Sequence, residues 1–417
     1  MKALEKWTGI ALINLAIVAL LGFVMRCKMI FSIPFLDFKY TLHAHSHFAF
    51  GGWVTLALLA LTAYQILPKE AAQKKIYKWL FFGIQFNAVG MLLSFPFQGY
   101  GFFSILFSTL FIFVTYGYTF VFIRDVRKAP VARSVKLLSI AAVVYMALSS
   151  VGAFTLAYLL ASKSSNMYLY KDAVYTYLHL QYSGFFTLAV FALLLHYLKV
   201  ENKTTWRFAQ LLNASIIPSL FISYLWHYPS DIIRGIAIIG SGFIVVSTVY
   251  FFLIVGNLRE AFLTLKPTAK ILITISMIAF VFKMIFQALT IVPSLGTMVF
   301  ANRPVIIGFL HLVLLAFITL YLIGHFVQSE LMPHTGLAAF AIWLFTTGVI
   351  VTEVVLFGQG LGFMLMTSIA LATWLLLAAA ACLFAGAVLI AITRWRIGAN
   401  LQMNYNELKT FKQFSQS

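Results

Sequence analysis

With 417 residues, 62% hydrophobic and only 10% charged, and a mean hydropathy of +0.96, the chain lies far from soluble domains, in which about a quarter of residues are charged. Its net charge of +18 would suit a nucleic-acid binder. The basic residues, however, sit in short loops between apolar runs, which is the topology signal of a membrane protein and excludes nucleic acid as a partner. The expected fold is all-α, a polytopic membrane helix bundle forming a single transmembrane domain over residues 1–417.

A span takes about 20 apolar residues. About twelve such runs follow one another, centred near Val18, Leu56, Val89, Phe113, Met146, Phe186, Ser215, Val245, Met277, Leu315, Phe345 and Ala378. The first, about Thr8 to Val24, continues into Arg26 and Lys28 without a small-residue cleavage site, so it reads as a retained span. Cys27 and Cys382 fall in the first and last runs, near opposite ends of the bilayer, and are not expected to pair. Lys69, Lys74, Lys75 and Lys78 follow run two, and Arg124, Arg127, Lys128, Arg133 and Lys136 follow run four. Further basic residues follow runs six, eight and twelve, and the opposite loops are poorer. Both termini are therefore expected inside, with residues 397–417 a short cytoplasmic tail, in the manner of a bacterial inner-membrane protein.

That orientation sorts the histidines by depth. The stretch Leu42–Trp53 opens the second run and holds three of the nine, His43, His45 and His47. On a helix His43 and His47 share a face one turn apart, while His45 points elsewhere. His179 lies about a turn into run six, His227 closes run seven, and His311 sits early in run ten. All six fall within roughly 12 Å of the outer boundary at 1.5 Å per residue. A lone histidine on a span is ordinarily a packing residue, and that reading suffices for His196 and His325, with His334 solvated near the inner face. Four helices each bringing histidine to one level is different, and points to haem iron, copper or another imidazole-preferring ion. Lys283 and Glu353 are rare inside hydrocarbon. Each fits either a proton path or a local polar contact.

About twelve spans with outer histidines on spans two, six, seven and ten resemble subunit I of the haem–copper oxidase superfamily, which includes cytochrome c oxidase and the nitric oxide reductases. The segment from His47 to the Tyr64-Gln65-Ile66-Leu67-Pro68 turn resembles the family's histidine-led second span. His179-Leu180-Gln181-Tyr182-Ser183-Gly184 resembles a His-x-x-x-Glu-Gly motif with Ser183 at the carboxylate position. Trp226-His227-Tyr228-Pro229 resembles His-His-aromatic with Trp226 at the first histidine, and Gly308-Phe309-Leu310-His311-Leu312 resembles Gly-His-x-His-Leu with Phe309 at the first.

The resemblance implies a low-spin haem b held by His311 and by either His43 or His47, with Arg303 neutralising a propionate. It implies a second, depleted metal site of His179 and His227, which His45 would help refill around copper. The implied activity is electron transfer or redox chemistry on nitric oxide or oxygen. The histidine that would face a high-spin haem is missing, so the oxygen-reducing site is incomplete. The implied electron donor is cytochrome c or a quinol, with a small partner subunit or a second copy as further partners in the lipid bilayer. A second resemblance, of Leu42-His43-Ala44-His45 and Phe50-Gly51 to the His-Ala-His-x-x-x-Phe-Gly segment of the NnrS proteins, implies a non-enzymatic nitric-oxide-response or haem- and copper-handling protein. A transporter using histidine as a proton relay is the third reading; the loop Lys69-Glu70-Ala71-Ala72-Gln73-Lys74-Lys75 lacks the signature of the major facilitators.

Overall fold

The computed structural model describes residues 2–226, 230–364 and 371–414, so His227 lies outside the described residues. Among them there is no strand. Twelve long helices run in chain order: α1 Lys2–Ile30, α2 Phe38–Ile66, α3 Lys75–Gln98, α4 Phe102–Arg127, α5 Arg133–Ala161, α6 Met167–Leu198, α7 Lys203–Leu220, α8 Asp231–Leu263, α9 Pro267–Leu289, α10 Pro304–Gln328, α11 Gly336–Met364 and α12 Ala372–Phe414. Each of the twelve apolar runs falls in one of them. Eleven are long and apolar enough to cross a membrane, so this is an integral membrane protein.

The exception is α7, where the sequence suggested a twelfth span. It is amphipathic: Phe208, Leu212, Ser215, Ile216 and Ser219 are buried at helical spacing, while Arg207 and Gln210 are exposed. Pro218 lies in its last turn and a 3₁₀ turn, Phe221–Tyr224, follows.

The centre of the bundle is α2 and α6, whose most apolar stretches are 83% and 94% buried, together with α10. These three helices share one irregularity. Each is α-helical through a histidine and then widens into π-helix, directly after His179 and His311 and with Phe48 intervening after His47, over Ala49–Thr55, Leu180–Phe186 and Leu312–Thr319. The histidines at 47, 179 and 311 are separated by equal steps of 132 residues, and each is followed eight residues on by Thr-Leu: Thr55-Leu56, Thr187-Leu188 and Thr319-Leu320. A π turn carries i→i+5 bonds, and the Thr187 hydroxyl donates to the Tyr182 carbonyl, five residues back, at 2.6 Å. Equal spacing, a shared motif and a shared helical distortion mark a threefold repeat of four-helix units, α1–α4, α5–α8 and α9–α12.

Between apolar helices in lipid, cohesion comes from close packing and a few polar links. Trp53 Nε1 donates to Thr319 Oγ1 at 2.9 Å, tying α2 to α10 with both side chains buried. Asn14 on α1 donates to the Gly52 carbonyl of α2 at 2.6 Å and to Gln85 of α3 at 2.7 Å. Phe191, Phe208, Phe251, Phe280 and Phe317 bring α6 to α10 together with ring centroids 4.7 to 6.3 Å apart. Gly240 lets α8 lie directly on the backbone of Pro218 and Ser219 at the C-terminal end of α7, where a Cβ would collide.

Candidate functional site

Asp37 caps α2 by accepting from the Tyr40 N–H at 2.8 Å, which starts the helix one turn before its histidines. His43 and His47 then face α3. The His47 ring stacks on Phe95, with centroids 4.4 Å apart and planes at 16°, and its Nε2 shares a hydrogen bond with the Tyr100 hydroxyl at 3.2 Å. His43 lies edge-on to Tyr100 at 4.7 Å, and its buried Nε2 meets no hydrogen-bond partner. Tyr100 stands in the link between α3 and α4, where burial pushes its hydroxyl up to about 12, so it stays a neutral partner for His47.

His45 is about 200° around the helix from His43, at roughly 100° per residue, and so faces α1 instead. Its Nδ1–H donates to the Val18 carbonyl at 3.0 Å, and Gly22 leaves room for the ring: a Cβ there would stand 3.3 Å from His45 Cε1. His45 is within charge reach of His311 on α10, and Arg26 on α1 is within reach of both. His311 repeats the local arrangement, its Nδ1–H donating to the Ile307 carbonyl at 2.8 Å. In both rings the carbonyl fixes the tautomer that leaves the lone pair on Nε2, and neither Nε2 is engaged by another described side chain. Of the three α2 histidines, the one brought to His311 is thus His45, whereas the sequence pattern had pointed to His43 or His47.

His179 is turned away from this pair. It is fully buried on α6 against α7, where its Nε2–H donates to the Ile216 carbonyl at 2.8 Å and lies 3.3 Å from Ser219 Oγ. Its carbonyl-bound nitrogen is Nε2, the opposite choice from His45 and His311. Phe309, at the position where the resembled family has a histidine, packs on Tyr182 of α6 with centroids 5.7 Å apart. His45 and His179 face different helices, and no three metal-ligating side chains gather among the described residues. The partner expected on span seven, His227, lies outside them, and Arg303 is described only as the start of a helix at the outer end of α10.

The remaining three histidines, His196, His325 and His334, make local polar contacts. His325 is buried, its Nε2–H donating to Gln65 Oε1 at 2.6 Å and its Nδ1 lying 3.4 Å from the Tyr321 hydroxyl. His196 interacts with the same Gln65 and with His325, and His334 meets Lys266 at 2.9 Å near the surface. Lys283 and Glu353 form no ion pair with each other. A signal that sequence reading passed over is the equal spacing of His47, His179 and His311, which marks the three as equivalent positions of one repeat.

The donor set tests the implied haem. Two imidazoles, each with Nδ1–H anchored on a carbonyl and Nε2 available, with the Arg26 guanidinium within charge reach, are a donor set that would suit a bis-histidine haem and one of its propionates. No family model matches the chain, and no curated protein matches it.

Proposed function

We propose that this integral membrane protein is an electron-transferring cytochrome whose haem is held between α2 and α10 by His45 and His311. The observation that carries the reading is the shared state of those two rings, tautomer fixed by Val18 and Ile307 and Nε2 left free. When bound, the haem supplies a one-electron ferric–ferrous couple. The only cysteines are Cys27 and Cys382, with no C-x-x-C-H attachment sequence, so a haem here would be bound non-covalently, as b-type haems are.

The chain's own residues do the rest. Val18 and Ile307 orient the imidazoles and raise their basicity as ligands. Arg26 offsets propionate charge at the outer boundary. Gly22 keeps the space beside His45 clear. With His45 and His311 both serving as ligands, the pair would favour electron transfer over turnover of oxygen or nitric oxide. The positive-inside pattern puts this site toward the outer face of a bacterial cytoplasmic membrane, where its electron donor would dock.

The test is an optical spectrum of the purified protein, oxidised, reduced with dithionite, and reduced under carbon monoxide. Sharp low-spin reduced bands that carbon monoxide leaves unchanged are expected. Absence of a haem spectrum from protein expressed with ample haem would overturn the proposal.

A further inference from the structure

The α6–α7–α9 interface contains a polar cluster that the haem reading does not use. Lys283 and Gln287 lie one turn apart on α9, 2% and 7% exposed. Gln287 Nε2 donates to Ser219 Oγ at 3.5 Å, Ser219 Oγ is 3.3 Å from His179 Nε2, and His179 is within charge reach of Lys283. His179, Ser219 and Gln287 thus form a hydrogen-bonded chain that ends one helical turn from Lys283. Tyr182 forms one wall, with the Lys283 Nζ 6.0 Å from its ring centroid.

Counting donors and acceptors shows what the cluster lacks. An ammonium brings three N–H donors and no acceptor. The one hydrogen bond of Lys283 goes to Met284 Sδ at 3.6 Å, a weak thioether acceptor. His179 Nε2–H and the Ser219 hydroxyl both spend their protons on the Ile216 carbonyl. Ser183, one turn beyond His179 on the same face of α6, has a buried hydroxyl without a partner. Against these donors stands a single unengaged acceptor, Gln287 Oε1.

Charge is unbalanced in the same sense. No ion pair among the described residues involves Lys283. A charge buried among helices in a bilayer is kept with a partner or marks an ion site. Lys283 is six residues before the end of α9 at Leu289, about 9 Å below that end at 1.5 Å per residue. Ser219 is one residue from the end of α7. The cluster is therefore shallow enough to exchange ions with the outer aqueous phase.

We propose that Lys283, with Gln287 one turn away on α9, binds a small monovalent anion. The ammonium supplies the charge and three N–H donors, the second amide N–H of Gln287 adds another, and the weak contact to Met284 Sδ is the bond the anion would replace. The proposal stands independently of the haem.

Azide is the probe, because its asymmetric stretch reports a change from water to a dry cationic site. Infrared titration of the full-length protein in detergent should show a shifted, saturable azide band that bromide and nitrite displace, with the haem spectrum unchanged. Lys283→Met should weaken binding about tenfold or more, the loss expected for one charged hydrogen bond, and Lys283→Arg should retain it. If Lys283→Met does not fold, Gln287→Leu serves, with a severalfold loss expected. No shifted band in the wild-type protein would mean that Lys283 is a neutral amine or is satisfied internally, and would overturn the proposal. A band that persists in Lys283→Met, or one accompanied by a Soret shift placing azide on iron, would overturn it too.

Discussion

His45 on α2 and His311 on α10 are each hydrogen-bonded through Nδ1 to a backbone carbonyl, at 3.0 and 2.8 Å, while lying within charge reach of each other. His43 and His47 differ in kind: their surroundings are Phe95 and Tyr100 of the α3 side. On the proposed reading, this separates ligands from bystanders. His45→Ala and His311→Ala should each abolish the six-coordinate low-spin spectrum. His43→Ala and His47→Ala should retain it with unchanged haem content. Loss of the spectrum in His47→Ala with retention in His45→Ala would move the site to the other face of α2.

The orientation of His45 depends on Gly22. A Cβ at that position would meet the imidazole at 3.3 Å, so Gly22→Ala forces the ring to give by a few tenths of an ångström, and Gly22→Val by more. Neither substitution touches a ligand atom. Graded broadening of the low-spin bands or a change in electron paramagnetic resonance g-values is expected, with valine the more severe. Identical spectra for all three proteins would show that the ring does not lean on α1.

How far the sequence carries this picture differs between levels. The twelve helices were readable because each is an apolar run, and α7 misled because Leu212, Ile216 and Leu220 give it hydrophobicity on one face only. That His43 and His47 share a face followed from the 3.6-residue period. Which neighbouring helix that face meets did not, because rotation about the axis is set by packing on α1 and α3 and not by α2 itself. The repeat hides in a similar way: His47, His179 and His311 keep their spacing, but few residues around them are shared. The Lys283 cluster draws on α6, α7 and α9, and nothing local in the chain announces that Lys283, Ser219 and His179 meet.

The link between Trp53 and Thr319 joins two of the repeats at the end of a π segment. Thr319→Val keeps the volume and removes the acceptor, leaving the indole N–H buried and unpaired. A loss of about 1–3 kcal/mol is expected, read as a lower thermal midpoint in detergent. Because α2 and α10 also carry His45 and His311, haem should dissociate faster from the variant. An unchanged midpoint would mean that the indole finds another acceptor at no cost.

Tyr100 makes the alkaline limb of stability predictable. Its hydroxyl is pushed up to about 12, first by burial and then by the neighbouring Tyr170, against about 10 in an unfolded chain. Between these values the unfolded chain sheds the proton while the folded one keeps it, so the unfolded state binds fewer protons and stability falls as pH rises. Below pH 10 both states are protonated and this residue adds no slope. Tyr100→Phe removes the titration and should flatten the loss between pH 10 and 12. At neutral pH it should lower stability by about 1 kcal/mol through the lost bond to His47. Chemical denaturation at pH 7, 9 and 11 separates the two effects: the bond appears as a constant offset, the titration as a difference confined to the highest pH. An equal alkaline slope in both proteins would show that the hydroxyl of the half-exposed Tyr100 is not held above its ordinary range.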